Sequence, residues 1–82
     1  FQNYPNPFNP ATTITYELPA EGRVYMKAFD SDGRELAVLQ DGIQSAGFHQ
    51  SVFRGNNLSS GVYFIRLSSG PFSQTIKLLL TK

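Results

Sequence analysis

The chain has 82 residues, 40% hydrophobic, 13% aromatic and 16% charged, which suits one small domain and is too short for two. Its formal net charge of +1 is far from the basic excess of a nucleic-acid binder, so nucleic acid is not an expected partner. Cysteine is absent and His49 is the single histidine, which excludes disulfide staples and leaves a zinc site without its usual ligands.

In chain order, the first segment is Tyr4-Pro5-Asn6-Pro7-Phe8-Asn9-Pro10. Its prolines remove backbone donors and force the residues before them into extended conformations, so it cannot be a central strand. It is expected to lie along a sheet edge, pinned by Tyr4 and Phe8 and shielding that edge from other chains. Thr13 to Leu18 alternates Ile14, Tyr16 and Leu18 with Thr13, Thr15 and Glu17, the period of a half-buried strand. Arg23 to Phe29 sets Val24, Met26 and Ala28 against Tyr25, Lys27 and Phe29 in the same way. Asp30-Ser31-Asp32-Gly33 combines side chains that bond their own backbone with a glycine suited to positive φ, and predicts a hairpin turn. Arg34 to Leu39 returns as the partner strand with Leu36 and Val38 on one side, and Asp41-Gly42 reads as a second turn.

Phe48 to Phe53 is the next predicted strand, followed by the polar stretch Gly55 to Ser60. Val62 to Leu67, almost wholly apolar, fits a strand covered on both faces or lying mid-sheet, and is the candidate central strand. After the turn Ser68-Ser69-Gly70-Pro71, Ser73 to Leu80 closes the chain with Ile76, Leu78 and Leu80 facing one way. Glycine and proline interrupt the chain too often for helices of normal length, and turn signals recur at roughly 8 to 12 residue spacing. The predicted fold is therefore all-β: an immunoglobulin-like sandwich of about seven strands over residues 1–82.

No catalytic constellation emerges. His49 has no glycine-flanked serine elbow near it in sequence. Asp30, Asp32 and Asp41 lack the bidentate glutamate of a calcium loop, and Gly55 to Gly61 lacks the lysine of a phosphate loop. The expectation is a non-enzyme without metal or cofactor. No apolar run approaches the roughly 20 residues that span a bilayer. The chain begins at Phe1 rather than Met and so reads as part of a longer protein.

Several segments together resemble a known family. They are Asn3-Tyr4-Pro5-Asn6-Pro7-Phe8-Asn9-Pro10, Thr12/Thr13 to Pro19, Phe29-Asp30-x-x-Gly33-Arg34, Ala46-Gly47-x-His49, Ser60-Gly61-Val62-Tyr63-Phe64-x-Arg66-Leu67 and Lys77-Leu78-Leu79-Leu80. Over essentially the whole chain the sequence resembles the C-terminal sorting domain of proteins exported by the type IX secretion system. It departs at Phe53-Arg54-Gly55, where relatives commonly carry Trp-Asp-Gly. The resemblance implies a seven-stranded immunoglobulin-like sandwich at the end of a larger cargo. It also implies passage through the periplasm, export through an outer-membrane translocon, and, in many members, cleavage by a surface sortase that attaches the cargo to the cell surface. The signal-bearing positions it implies are Pro5, Asn6, Pro7 and Phe8, the turn at Gly33, the strand start Gly61, Val62 and Tyr63, and the last strand with Lys77, Leu78, Leu79, Leu80 and Lys82. The expected partners are that translocon, the sortase and an N-terminal cargo domain of the same chain. Two other readings carry weight. One is an accessory domain like the immunoglobulin-like part of flagellar hook-capping proteins; the other is a carbohydrate-binding module using Tyr25, Phe29 and Phe72 as a stacking platform.

Overall fold

The computed structural model describes residues 11–81 and, as backbone, residues 2–4. The predicted edge motif Pro5, Asn6, Pro7 and Phe8, and the terminal Lys82, lie outside the described residues. Among the described residues seven strands form: β1 (Gln2–Tyr4), β2 (Ala11–Leu18), β3 (Gly22–Asp30), β4 (Glu35–Gln44), β5 (Gly47–Arg54), β6 (Gly61–Ser69) and β7 (Phe72–Leu80). They make two antiparallel sheets, one ordered β1-β2-β5 and the other β4-β3-β6-β7. The all-β sandwich expected from the alternation is thus the fold.

β2 pairs with β5 and β3 with β6, so neighbours in each sheet come from distant parts of the chain, as in Greek-key sandwiches. An immunoglobulin constant domain places its fourth strand on the first sheet. Here β4 pairs with β3 instead, which gives three strands facing four.

The inward alternate residues meet as one core. Ile14, Tyr16 and Leu18 of β2 and Phe53 of β5 face Val24, Met26 and Ala28 of β3, Tyr63, Ile65 and Leu67 of β6, and Leu78 and Leu80 of β7. Each large apolar side chain so covered contributes about 1.5–3 kcal/mol of transfer free energy. Near the start of β6, the Tyr63 hydroxyl donates to the Ser59 carbonyl at 2.6 Å. A tyrosine here bonding a carbonyl a few residues upstream is the tyrosine corner of immunoglobulin-like sandwiches.

Two expectations are corrected. Asp41-Gly42 is not a turn: both residues lie inside β4, opposite Tyr25 and Val24, because ten residues of β4 continue the ladder with β3. The chain leaves the sheet at Ser45 and Ala46 instead, where His49 Nε2–H donates to the Ser45 carbonyl at 2.7 Å. Leu36 and Val38 do not share a face either. The β3–β4 register shifts between Met26 and Lys27 and again between Ala28 and Phe29, leaving Leu39 and Leu36 as the extra residues of two bulges. The shift turns Leu36 and Leu39 onto the core while Val38 is 52% exposed.

β6 does lie mid-sheet, between β3 and β7. It is covered on one face only: Tyr63, Ile65 and Leu67 are buried and Arg66 is exposed.

Candidate functional site

The β6–β7 hairpin joins two of the segments singled out in the sequence. Gly61 stands opposite Leu80, Val62 opposite Leu79, Tyr63 opposite Leu78 and Phe64 opposite Lys77. The third segment arrives at the same end of the sheet, because Asp30, which opens the β3–β4 turn, pairs with Tyr63.

That turn is built by Asp30. Its Oδ1 accepts from the backbone N–H groups of Asp32 and Arg34, each at 2.9 Å, and its carbonyl accepts from Gly33 N–H at 3.0 Å. Gly33 has φ of 87°, where a side chain would strain the backbone. The aspartate is therefore occupied in shaping a hairpin, as the sequence suggests. Among the described residues no group of three His, Cys, Asp or Glu could hold a metal ion.

Alternation sorts the predicted residues into two kinds. Tyr63, Leu78 and Leu80 point into the core and cannot present side chains to a partner. Gly61, at φ of 155°, sets the backbone where β6 begins. Lys77 and Leu79 point outward and are exposed, with Val62 half-buried beside them.

The outward row extends past the predicted set. Phe64 pairs with Phe29 on one side and Lys77 on the other, and Arg66 with Lys27. A shallow depression of about 300 Å³ lies over Phe29, Phe64, Arg66 and the Asp30–Gly33 turn. Phe64 and Arg66 are not among the predicted site residues, because the nearly continuous apolar run Val62 to Leu67 suggests a strand covered on both faces or lying mid-sheet, which does not single out an outward row.

The charges on this face are partly matched. Lys27 Nζ lies 3.3 Å from Glu35 Oε1, and Arg23 Nη2 lies 2.8 Å from Asp41 Oδ1. The hydrogen bond to Asp41 holds the Arg23 guanidinium pKa above its ordinary value. Arg66 and Lys77 make no ion pair among the described residues, so this end of the face is cationic around an aromatic and aliphatic centre. Beyond Lys77, β7 is an edge strand whose one partner among the described residues is β6.

The three aromatics proposed as a sugar platform do not form one surface. Tyr25 faces outward beneath the Arg23 guanidinium, 5.0 Å from its ring centroid. Phe72, opposite Ser69, belongs to the other face of the sheet and lines the end of the sandwich with Leu18 and Pro19.

An immunoglobulin-like sandwich with an open last strand defines the class of domain. The profile of the family described as Secretion system C-terminal sorting domain matches residues 2–81. The chain belongs to this family, the sorting domains of type IX secretion, whose signal directs export to the cell surface or the extracellular space. No curated protein and no solved structure matches the chain.

Proposed function

We propose that residues 1–82 form the address domain of a larger exported protein and that the β6–β7 hairpin is the part the type IX machinery reads. The family match over residues 2–81 carries this reading, and the geometry of β7 supports it. An edge strand offers a partner's sheet its main-chain hydrogen bonds, while alternate side chains give specificity. In β7 those outward side chains are Lys77 and Leu79, flanked by Phe64 and Val62. Nothing in such recognition requires bond-making, so the domain acts as a non-catalytic label. It passes through the periplasm with its cargo, docks on the outer-membrane translocon, and is then a substrate for the surface sortase.

The test is export of a periplasmic fluorescent reporter fused ahead of the chain in a type IX-competent bacterium. The unaltered fusion is expected on the surface or in the medium. The double variant Lys77→Glu and Leu79→Lys, chosen because both side chains are exposed, is expected to stay in the periplasm while keeping its β-sheet circular dichroism. Unimpaired export of this folded variant overturns the role of β7. Retention of the unaltered fusion overturns the address reading itself.

A further inference from the structure

Among the described residues the two sheets have four edges; β1 and β4 are guarded against pairing with other chains, and β7 is the edge assigned above to the type IX machinery. β1 has three residues and runs into Pro5 and Pro7. β4 carries two register shifts, with Glu35 and Asp41 along it. β7 carries Lys77. Short strands, bulges, prolines and charges are the usual devices that blunt a sheet edge.

Short of Arg54 at its last position, β5 has none of them. From Gly47 to Phe53 it holds no proline and no Asp, Glu, Lys or Arg. It pairs with β2 in unbroken register over eight residues, and β2 is its one ladder partner among the described residues. Its outward side chains are Phe48, Gln50 and Val52, with Phe48 82% and Val52 46% exposed. A long, regular, neutral edge with exposed apolar residues is a template for strand addition.

The pattern of this edge selects its occupant. In an antiparallel pair of identical strands that keeps both outer faces on one side, the twofold axis must pass through a residue. With the axis at Gln50, Phe48 of each copy stands opposite Val52 of the other, and Gln50 opposite Gln50. Both apolar residues then gain the aromatic–β-branched cross-strand partner that stabilises sheets. Arg54 falls opposite Ala46, so no like charges meet. Moving the axis by one residue sets Phe48 against Gln50 or Arg54 and loses the match. A charged peptide would find no opposite charge along Gly47 to Phe53.

We propose that β5 is a self-association edge, at which two copies pair antiparallel about Gln50 and join their three-stranded sheets into one of six strands. Because β4 and β5 are in contact, the β5 edge lies on the β4 side of the sandwich. The β7 edge lies on the opposite side and stays open in both copies, so the inference does not depend on the reading given to β7.

Sedimentation velocity on the 82-residue chain, from micromolar to millimolar concentration, tests it. The expected result is a concentration-dependent monomer–dimer equilibrium that Phe48→Lys and Val52→Lys each shift to monomer without changing the circular dichroism. Register is tested separately with Gln50→Cys. Paired residues in an antiparallel ladder have Cα atoms about 4.5 or 5.5 Å apart, within disulfide reach. Mild oxidation should therefore cross-link Gln50→Cys copies, while Thr75→Cys, exposed on β7, should remain uncoupled. A chain that stays monomeric throughout, a dimer unaffected by Phe48→Lys, association beyond the dimer, or a monomer that instead takes up an added extended peptide at β5 would each overturn the proposal.

Discussion

Tyr63 shows how one side chain serves two ends. Its ring is 7% exposed and sits 6.5 Å, centroid to centroid, from that of Phe53, while its hydroxyl fixes the loop before β6 through Ser59. Tyr63→Phe keeps the ring and removes one hydrogen bond, and is expected to cost about 1 kcal/mol. Tyr63→Ala also empties the space of the ring and is expected to cost about 3 kcal/mol. Urea unfolding of the two variants separates the contributions; equal losses would mean that the hydroxyl alone matters. Tyr16 makes a different prediction. Burial raises its pKa above the ordinary value, and its hydroxyl donates to Gln44 Oε1 at 2.5 Å. Folding thus favours the neutral phenol. Its contribution is complete below pH about 10, the unfolded value, and is lost as pH rises from there through the folded value. Thermal melts in the alkaline range are expected to show this loss in the parent and a flatter profile in Tyr16→Phe.

Among the elements, β4 departs furthest from what its sequence suggests. Asp-Gly is a strong turn signal, yet Asp41 and Gly42 stay extended because the ladder with β3 continues through them and Arg23 reaches the Asp41 carboxylate. The exposed ion pair contributes little; the main-chain ladder outweighs the local turn preference. The bulges then decide which side chains reach the core, and this gives a paired prediction. Leu39→Ala, which removes a side chain packed on the core, is expected to cost about 2 kcal/mol. Val38→Ala, on the solvent face, should fall within about 0.5 kcal/mol of the parent. Chemical denaturation checks both, and a reversed order would mean that the bulges are absent in solution. β2, β3, β6 and β7 had no such conflict. The inward residues of β2, β3 and β7 were legible from alternation because each of those strands keeps its phase along the residues that were read. The apolar run of β6 did not tell its inner face from its outer one.

For the whole molecule, the last strand belongs to the core as much as to the signal. Removing Lys77 to Lys82 deletes Leu78 and Leu80, both fully buried, and strips β6 of its partner at Gly61 to Phe64. Losing one such leucine to alanine costs about 2–5 kcal/mol, against a total stability of about 5–15 kcal/mol for a typical domain. The truncated chain is therefore expected to be unfolded by circular dichroism. Its failure to be exported would report loss of the fold, which is why outward substitutions on β7 are the sharper probe. A truncated chain that kept a cooperative melt would show that β7 is dispensable to the sandwich.

Alternating polarity, glycine and proline spacing, and the Asp30 turn were sufficient for the fold class, most of the core and the β3–β4 and β6–β7 hairpins, because each depends on residues close in the chain. The quoted motifs also carried the family. The continuation of β4 through Asp41 and Gly42, the two bulges, the convergence of Gly33, Gly61 and Leu80 at one end of the sheet, and the open edge of β5 came only with the folded chain. Each of these depends on how the strands align in the ladders of the folded sheets. Such alignment is settled by the main-chain ladder and by closure of a shared core, and neither leaves a periodic trace in any one segment.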